Sequence, residues 1–239
     1  LYFRGHKRLA RAAVSLEDAV LGPAVEYSDD RGDLAQFSVR GVERQGLKLL
    51  LVLDCSESMK QIDPASQKRR IDILKDVLRD LCKELEKDNI EIGVRLFGSQ
   101  YYNRDVDDVR KAHTDSIRVL DVAPLNVREF TRIVDEKVHH KGFTPLYYAL
   151  LQAAGDFEGV RGDRQIIVVS DGADSTQITL AELKKKGIPA EEFTREMVER
   201  RFAGANIPIH AIGFLLDEKD ATIKRDLKAL SDATQGAYF

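Results

Sequence analysis

From Gly46 onward the apolar positions switch repeatedly between two rhythms. Leu47 to Leu53 is apolar except at Lys48, the pattern of a strand buried on both faces of a sheet. Ile71, Leu74, Leu78, Leu81 and Leu85 then recur at the three-and-four spacing of one helix face. Ile90, Ile92, Val94, Leu96 and Phe97 predict a second strand, and Ile117, Val119 and Leu120 a short third. Asn126 to Val138 reads as a helix with Phe130, Ile133, Val134 and Val138 inward, and Leu146 to Phe157 as another. Gln165 to Val169 reads as a strand, Glu191 to Phe202 as a helix, Ile207 to Phe214 as a strand, Ala221 to Leu230 as a helix and Ala237 to Phe239 as a closing strand. Strands alternating with helices predict an α/β fold, a doubly wound, mostly parallel central sheet flanked by helices. In such sheets ligands bind beyond the carboxyl ends of the strands, where the strand order reverses.

Residues 1–45 follow a different pattern. Leu9, Ala12, Ala13, Leu16, Ala19 and Val20 predict a short helix over His6 to Val20, ended by Gly22-Pro23, and Gln36 to Val42 an edge strand. This segment reads as an N-terminal arm on a main domain of residues 46–239. Leu1 to Gly5 resembles the remnant of a cleaved tag and takes no part in the fold reading.

The composition narrows the function classes. The chain has 239 residues, enough for one domain with a substantial core. Its 37 Lys and Arg against 40 Asp and Glu leave a formal charge of −3, so nucleic acid is not an expected partner. The longest apolar run, Leu49 to Leu53, falls far short of the roughly 20 residues that span a bilayer, so no membrane insertion is expected from this segment. Nor is a signal peptide visible. Cys55 and Cys82 read as two small buried thiols.

Three junctions carry the oxygen chemistry. Asp54-Cys55-Ser56-Glu57-Ser58-Met59 follows the first strand, Lys141-Gly142-Phe143-Thr144-Pro145-Leu146 opens a helix, and Ser170-Asp171-Gly172-Ala173-Asp174 follows the 165–169 strand. Asp54, Ser56 and Ser58 alternate by two, a spacing that aims three oxygens at one point on an extended loop. Converging hydroxyls and carboxylates make a hard-oxygen site suited to Mg²⁺, Mn²⁺ or Ca²⁺ and not to Zn²⁺. Gly172 is read as allowing a tight turn after Asp171. Taken alone, Asp54, Ser56 and Ser58 also fit a turn and a helix cap.

Asp54-x-Ser56-x-Ser58, Thr144 within Gly-x-Thr-Pro-Leu, and Ser170-Asp171-Gly172 together resemble the metal-ion-dependent adhesion site of von Willebrand factor A domains. The resemblance covers roughly Leu47 to Phe239, and the Arg95-Leu96-Phe97-Gly98, Ile212-Gly213-Phe214 and Leu230 to Tyr238 stretches are similar to bacterial members. It implies one divalent cation, Mg²⁺ foremost, with Mn²⁺ or Ca²⁺ as alternatives. Ser56, Ser58 and Thr144 would then be direct ligands, and Asp54 and Asp171 would act through water or as balancing charge. It further implies a non-enzymatic module whose cation keeps a position open for a Glu or Asp of a protein partner. Two residues depart from the common pattern: Phe143 is expected to narrow its loop, and Glu57 to add negative charge at the rim. Similar bacterial domains carry a cysteine pair where this chain has Lys111 to Asp115, which leans the expected compartment towards the cytoplasm.

An alternative use of the same domain is as an accessory subunit of an AAA+ ATPase or chelatase-like assembly; the chain has no phosphate-binding loop of its own. An enzyme would need a base or nucleophile beside the cation, and Glu57, Asp174 and His140 are the nearby candidates. The remaining features have ordinary readings. Asp174 and Ser175 are expected to be solvated loop residues, His139 and His140 a solvated helix end, and Lys184 to Lys186 a solvated face. Arg31-Gly32-Asp33 and Arg161-Gly162-Asp163 read as polar turns, and of Tyr147 and Tyr148 one is expected to pack inward.

Overall fold

The computed structural model describes residues 46–88, 90–101, 106–216 and 220–239, with the two-residue strands Tyr2–Phe3 and Ala35–Gln36, which pair antiparallel. The helix expected over His6 to Val20 and most of the Gln36 to Val42 strand lie outside the described residues. Five strands build the central sheet: β1 (Leu47–Asp54), β2 (Glu91–Phe97), β3 (Ser116–Pro124), β4 (Asp163–Ser170) and β5 (Ile209–Gly213). Their order is β3-β2-β1-β4-β5, with β2, β1, β4 and β5 mutually parallel. This is the doubly wound architecture that the alternating pattern predicts. The chain moves outward from β1 in one direction and returns to β4 on its other side, so the order reverses between β1 and β4.

The helices are α1 (Arg70–Leu85), α2 (Val106–Ala112), α3 (Val127–Lys137), α4 (Leu146–Ala153), α5 (Thr176–Lys185), α6 (Arg195–Phe202) and α7 (Ala221–Ala233). Side chains alternate along β1, which explains its continuous apolar run. Leu47, Leu49, Leu51 and Leu53 pack with α1 and α3, while Leu50 and Val52 pack on the other face with α4, α6 and α7. Fully burying each such side chain contributes about 1.5–3 kcal/mol. None of the helices among the described residues is long and apolar enough to cross a membrane.

Several boundaries differ from the sequence expectation for identifiable reasons. β3 runs antiparallel to β2 because the chain re-enters at the end where β2 stopped, pairing Phe97 with Ser116, so no crossover is needed. The helix expected from Glu191 starts at Arg195, because Thr194 caps it by accepting from the Met197 N–H at 3.3 Å. α2 and α5 were not read from the pattern. Ala237 to Phe239 joins the outer edge of β5 through a parallel bridge between Ala211 and Tyr238.

Candidate metal centre

The carboxyl ends of β1 and β4 lie side by side at the order reversal, and two of the three oxygen-bearing loops leave from them. The third loop is pinned onto the first by backbone. Ser56 and Gly142 form a parallel bridge, the Glu57 N–H donates to the Gly142 carbonyl at 2.8 Å, and the Lys141 N–H donates to the Cys55 carbonyl at 2.8 Å. Glycine permits this proximity at two places. A Cβ on Gly98, which has φ +67°, would stand 2.2 Å from the Phe143 carbonyl oxygen, and one on Gly142 would stand 2.2 Å from the Tyr101 carbonyl oxygen. The Phe143 backbone thus lies close against Gly98.

The five residues expected to form the site come together. Asp54 is fully buried, accepting the Ser56 N–H at 2.8 Å on one oxygen and the Ser170 hydroxyl at 2.6 Å on the other. Ser56 Oγ and Ser58 Oγ are 2.9 Å apart, and Ser58 Oγ donates to Asp171 Oδ1 at 2.6 Å. The Thr144 backbone is held by Ser175, whose Oγ accepts the Thr144 N–H at 2.7 Å and whose N–H donates to the Thr144 carbonyl at 2.9 Å. Gly172 measures the remaining space. A Cβ there would sit 3.6 Å from Thr144 Oγ1 and 3.7 Å from Ser58 Oγ, so both hydroxyls border the same small volume. Gly172 does not have a positive φ, so its turn does not draw on the left-handed freedom of glycine.

The electrostatics favour a cation. Burial first, and then the neighbouring Asp171 charge, push the Asp54 carboxyl up from 3.8 to about 7. Two carboxylates share this pocket, and one of them, Asp171, is met by a fixed positive charge: Arg70 Nη1 donates to Asp171 Oδ2 at 2.8 Å. The second nitrogen of the same guanidinium, Nη2, reaches the Leu215 carbonyl at 3.3 Å. Arg70 opens α1, where the helix dipole disfavours a cation, and the ion pair with Asp171 accounts for it. Sequence reasoning missed Arg70, and its only local signal was that misplaced charge. It also missed Ser170 as the second anchor of Asp54.

The donor set fits a hard divalent cation. A serine hydroxyl that spends its proton on a carboxylate turns its lone pairs away from that carboxylate, and Ser58 is held in this state by Asp171. Ser56, Ser58 and Thr144 would supply neutral oxygens, with Asp54 and Asp171 holding them and balancing charge. Among the described residues no three His, Cys, Asp or Glu side chains gather in a metal-binding group, so the hydroxyls are essential to this fit.

The surroundings correct two expectations. Ser175 is buried and Asp174 half-buried, and neither is a free loop residue. Asp174 accepts from the Tyr147 N–H at 3.1 Å and from the Thr176 N–H and hydroxyl, both at 2.9 Å, and burial raises its carboxyl above the ordinary value. These bonds cap α4 and α5, which is why the loop turns Asp174 towards the protein. At the rim Glu57 pairs with Lys60, and Glu57 Oε2 lies 3.8 Å from His140 Nδ1, so its added negative charge is offset. Tyr148 packs on Phe193 with ring centroids 4.9 Å apart, while Tyr147 lines a small crevice beside Gly172.

The family model described as the von Willebrand factor type A domain matches residues 49–173, a span that contains all five residues above. Among curated protein sequences none matches the chain. Solved structures are similar in fold. The von Willebrand domain of the type V pili tip protein Mfa5 from Porphyromonas gingivalis aligns at 11% identity and TM-score 0.57, over 81% of this chain and 88% of that one. The PilB minor pilin from Streptococcus sanguinis aligns at 13% identity and TM-score 0.56, over 91% of this chain and 64% of that one. The pilus adhesin SpaC from Lactobacillus rhamnosus GG aligns in its open conformation at 12% identity and TM-score 0.53, over 81% of this chain and 27% of that one. The chain thus spans less than two thirds of the pilin and of the adhesin. At these identities the likeness shows the fold alone.

Proposed function

Because the chain belongs to the von Willebrand factor type A domain family, we propose that it is a protein-binding module that holds one divalent cation, Mg²⁺ foremost, among Ser56, Ser58, Thr144, Asp54 and Asp171. When bound, the cation supplies an electrophilic site for a Glu or Asp carboxylate of a protein partner. Few direct carboxylates would leave it strongly electrophilic, so exchanging water for a partner's carboxylate gains more. The observation carrying this reading is the convergence of hydroxyls from separate loops. Ser58 is bonded to both Ser56 and Asp171, and Ser58 and Thr144 both face the space beside Gly172.

The reading is non-enzymatic. Asp174 is engaged in three cap hydrogen bonds and Glu57 pairs with Lys60, so two of the three acid and base candidates named from sequence are engaged elsewhere. The adhesin, minor pilin and pilus tip protein among the similar structures agree with a role in protein contact.

Calorimetric titration with Mg²⁺, Mn²⁺ and Ca²⁺ tests the site. Thr144→Ala removes one hydroxyl without touching the backbone bonds to Ser175, so it is expected to weaken affinity while the fold persists. Asp54→Ala is expected to do the same with some loss of stability. Unchanged affinity in both variants would overturn the assignment. Capture of partners from lysate in Mg²⁺, lost on adding chelator, is the corresponding expectation for binding.

A further inference from the structure

We propose that a cleft at the opposite pole of the domain binds a compact oligo-anion, a ligand carrying at least two adjacent phosphate or carboxylate groups. The cleft is a shallow depression, open to solvent, with room for a ligand of about 530 Å³. Phe157 and Val160 contribute apolar lining, and Arg161, Arg164 and Arg201 stand round it. Arg164 is the second residue of β4, six residues before Ser170, so the cleft lies roughly 20 Å from the metal centre along the strand.

The lining is strongly basic. Arg69, Arg79, Arg118, Arg132 and Arg195 each pair with a carboxylate, whereas Arg128 and Arg200 elsewhere on the described surface do not, so what sets the cleft apart is the gathering of three such guanidinium groups round one depression. Among the described residues Arg161, Arg164 and Arg201 pair with none, and Arg164 reaches only the Ala205 carbonyl at 3.2 Å. Glu158 is the single acid among the lining residues, so three cations face one anion in a protein whose net charge is −3. Arg201 suits the last turn of α6, where a cation meets the negative end of the helix, but that role needs neither Arg161 nor Arg164. Guanidinium groups present planar pairs of donors that match phosphate and carboxylate oxygens two by two. Three guanidinium groups gathered round one depression suit a compact ligand better than an extended peptide.

The test is calorimetric titration of the whole chain with pyrophosphate and with citrate, after passage over an immobilised chelating resin so that the metal centre takes no part and no soluble polycarboxylate competes, and with a glutamate-rich peptide as comparison. Both small anions are expected to bind, the tighter one identifying phosphate or carboxylate as the preferred group. Rising salt is expected to weaken both. The double variant Arg161→Ala, Arg201→Ala alters two exposed side chains, so its melting temperature should hold while affinity falls roughly tenfold or more. Thr144→Ala is expected to bind the anions as well as the unaltered chain, which keeps this outcome separate from that of the metal centre. Equal binding by the double variant, no binding of either small anion, or binding of the peptide alone would overturn the proposal.

Discussion

Replacing Arg70 by methionine asks whether the two carboxylates of the metal centre are held at an electrostatic cost. Arg70 is 18% exposed and the Asp171 side chain is fully buried. Breaking a buried ion pair by removing one partner costs about 3–5 kcal/mol. The partial exposure of the guanidinium screens some of this, and Ser58 still donates to Asp171, so about 2–3 kcal/mol is the expected loss. For a domain of this size that corresponds to a fall of about 4–12 °C in melting temperature. Calorimetric melting in chelator at about pH 8 should show it in full, because there the carboxylates repel most strongly. Saturating Mg²⁺ supplies a replacement positive charge and binds only the native state, so most of the loss should disappear. Acidification to about pH 5.5 should also shrink the loss, since the Asp54 carboxyl, raised to about 7, then carries a proton. An identical fall with and without Mg²⁺ would refute the reasoning, leaving Arg70 as a tether to the Leu215 carbonyl.

Three further outcomes are expected. Asp54 has a folded value raised from 3.8 to about 7, so its neutral form adds stability that is present below 3.8 and lost as the pH rises through about 7. Holding a cation needs the carboxylate, so Mg²⁺ affinity measured by calorimetry should weaken as the pH falls below about 7, and a flat profile would contradict this. Gly172→Ala places a Cβ at ordinary contact distance from the Thr144 and Ser58 hydroxyls, so stability should stay within about 0.5 kcal/mol while Mg²⁺ affinity drops; unchanged affinity would show that the space is not used. Ser175→Ala leaves the buried Thr144 N–H without its acceptor, costing about 1–3 kcal/mol by denaturant unfolding and weakening Mg²⁺ binding, although Ser175 lies outside the recognisable motif.

Much of this molecule is written in local pattern. The run at Leu47 to Leu53 announces a strand covered on both faces, and the two packing clusters divide its residues as strict alternation requires. The spacing of Asp54, Ser56 and Ser58, with Thr144 and the Ser170-Asp171-Gly172 turn at later junctions, suffices to nominate the oxygen cluster, because each oxygen sits at the end of a strand or the start of a helix. Which atoms meet is a different matter. The Ser58 to Asp171 bond joins residues 113 apart and exists only because β1 and β4 are neighbours in the sheet. Arg70 betrays its partner Asp171 only as a cation at a helix start, and no local signal tells that Ser175 fixes Thr144 or that Gly172 borders the Ser58 and Thr144 hydroxyls. The antiparallel β3 and the three unpaired arginines of the far cleft are likewise consequences of chain path. Periodicity reports which face of an element is buried, so it can be read residue by residue; partners across loops depend on strand order, and that is decided only when the whole sheet closes on its two cores.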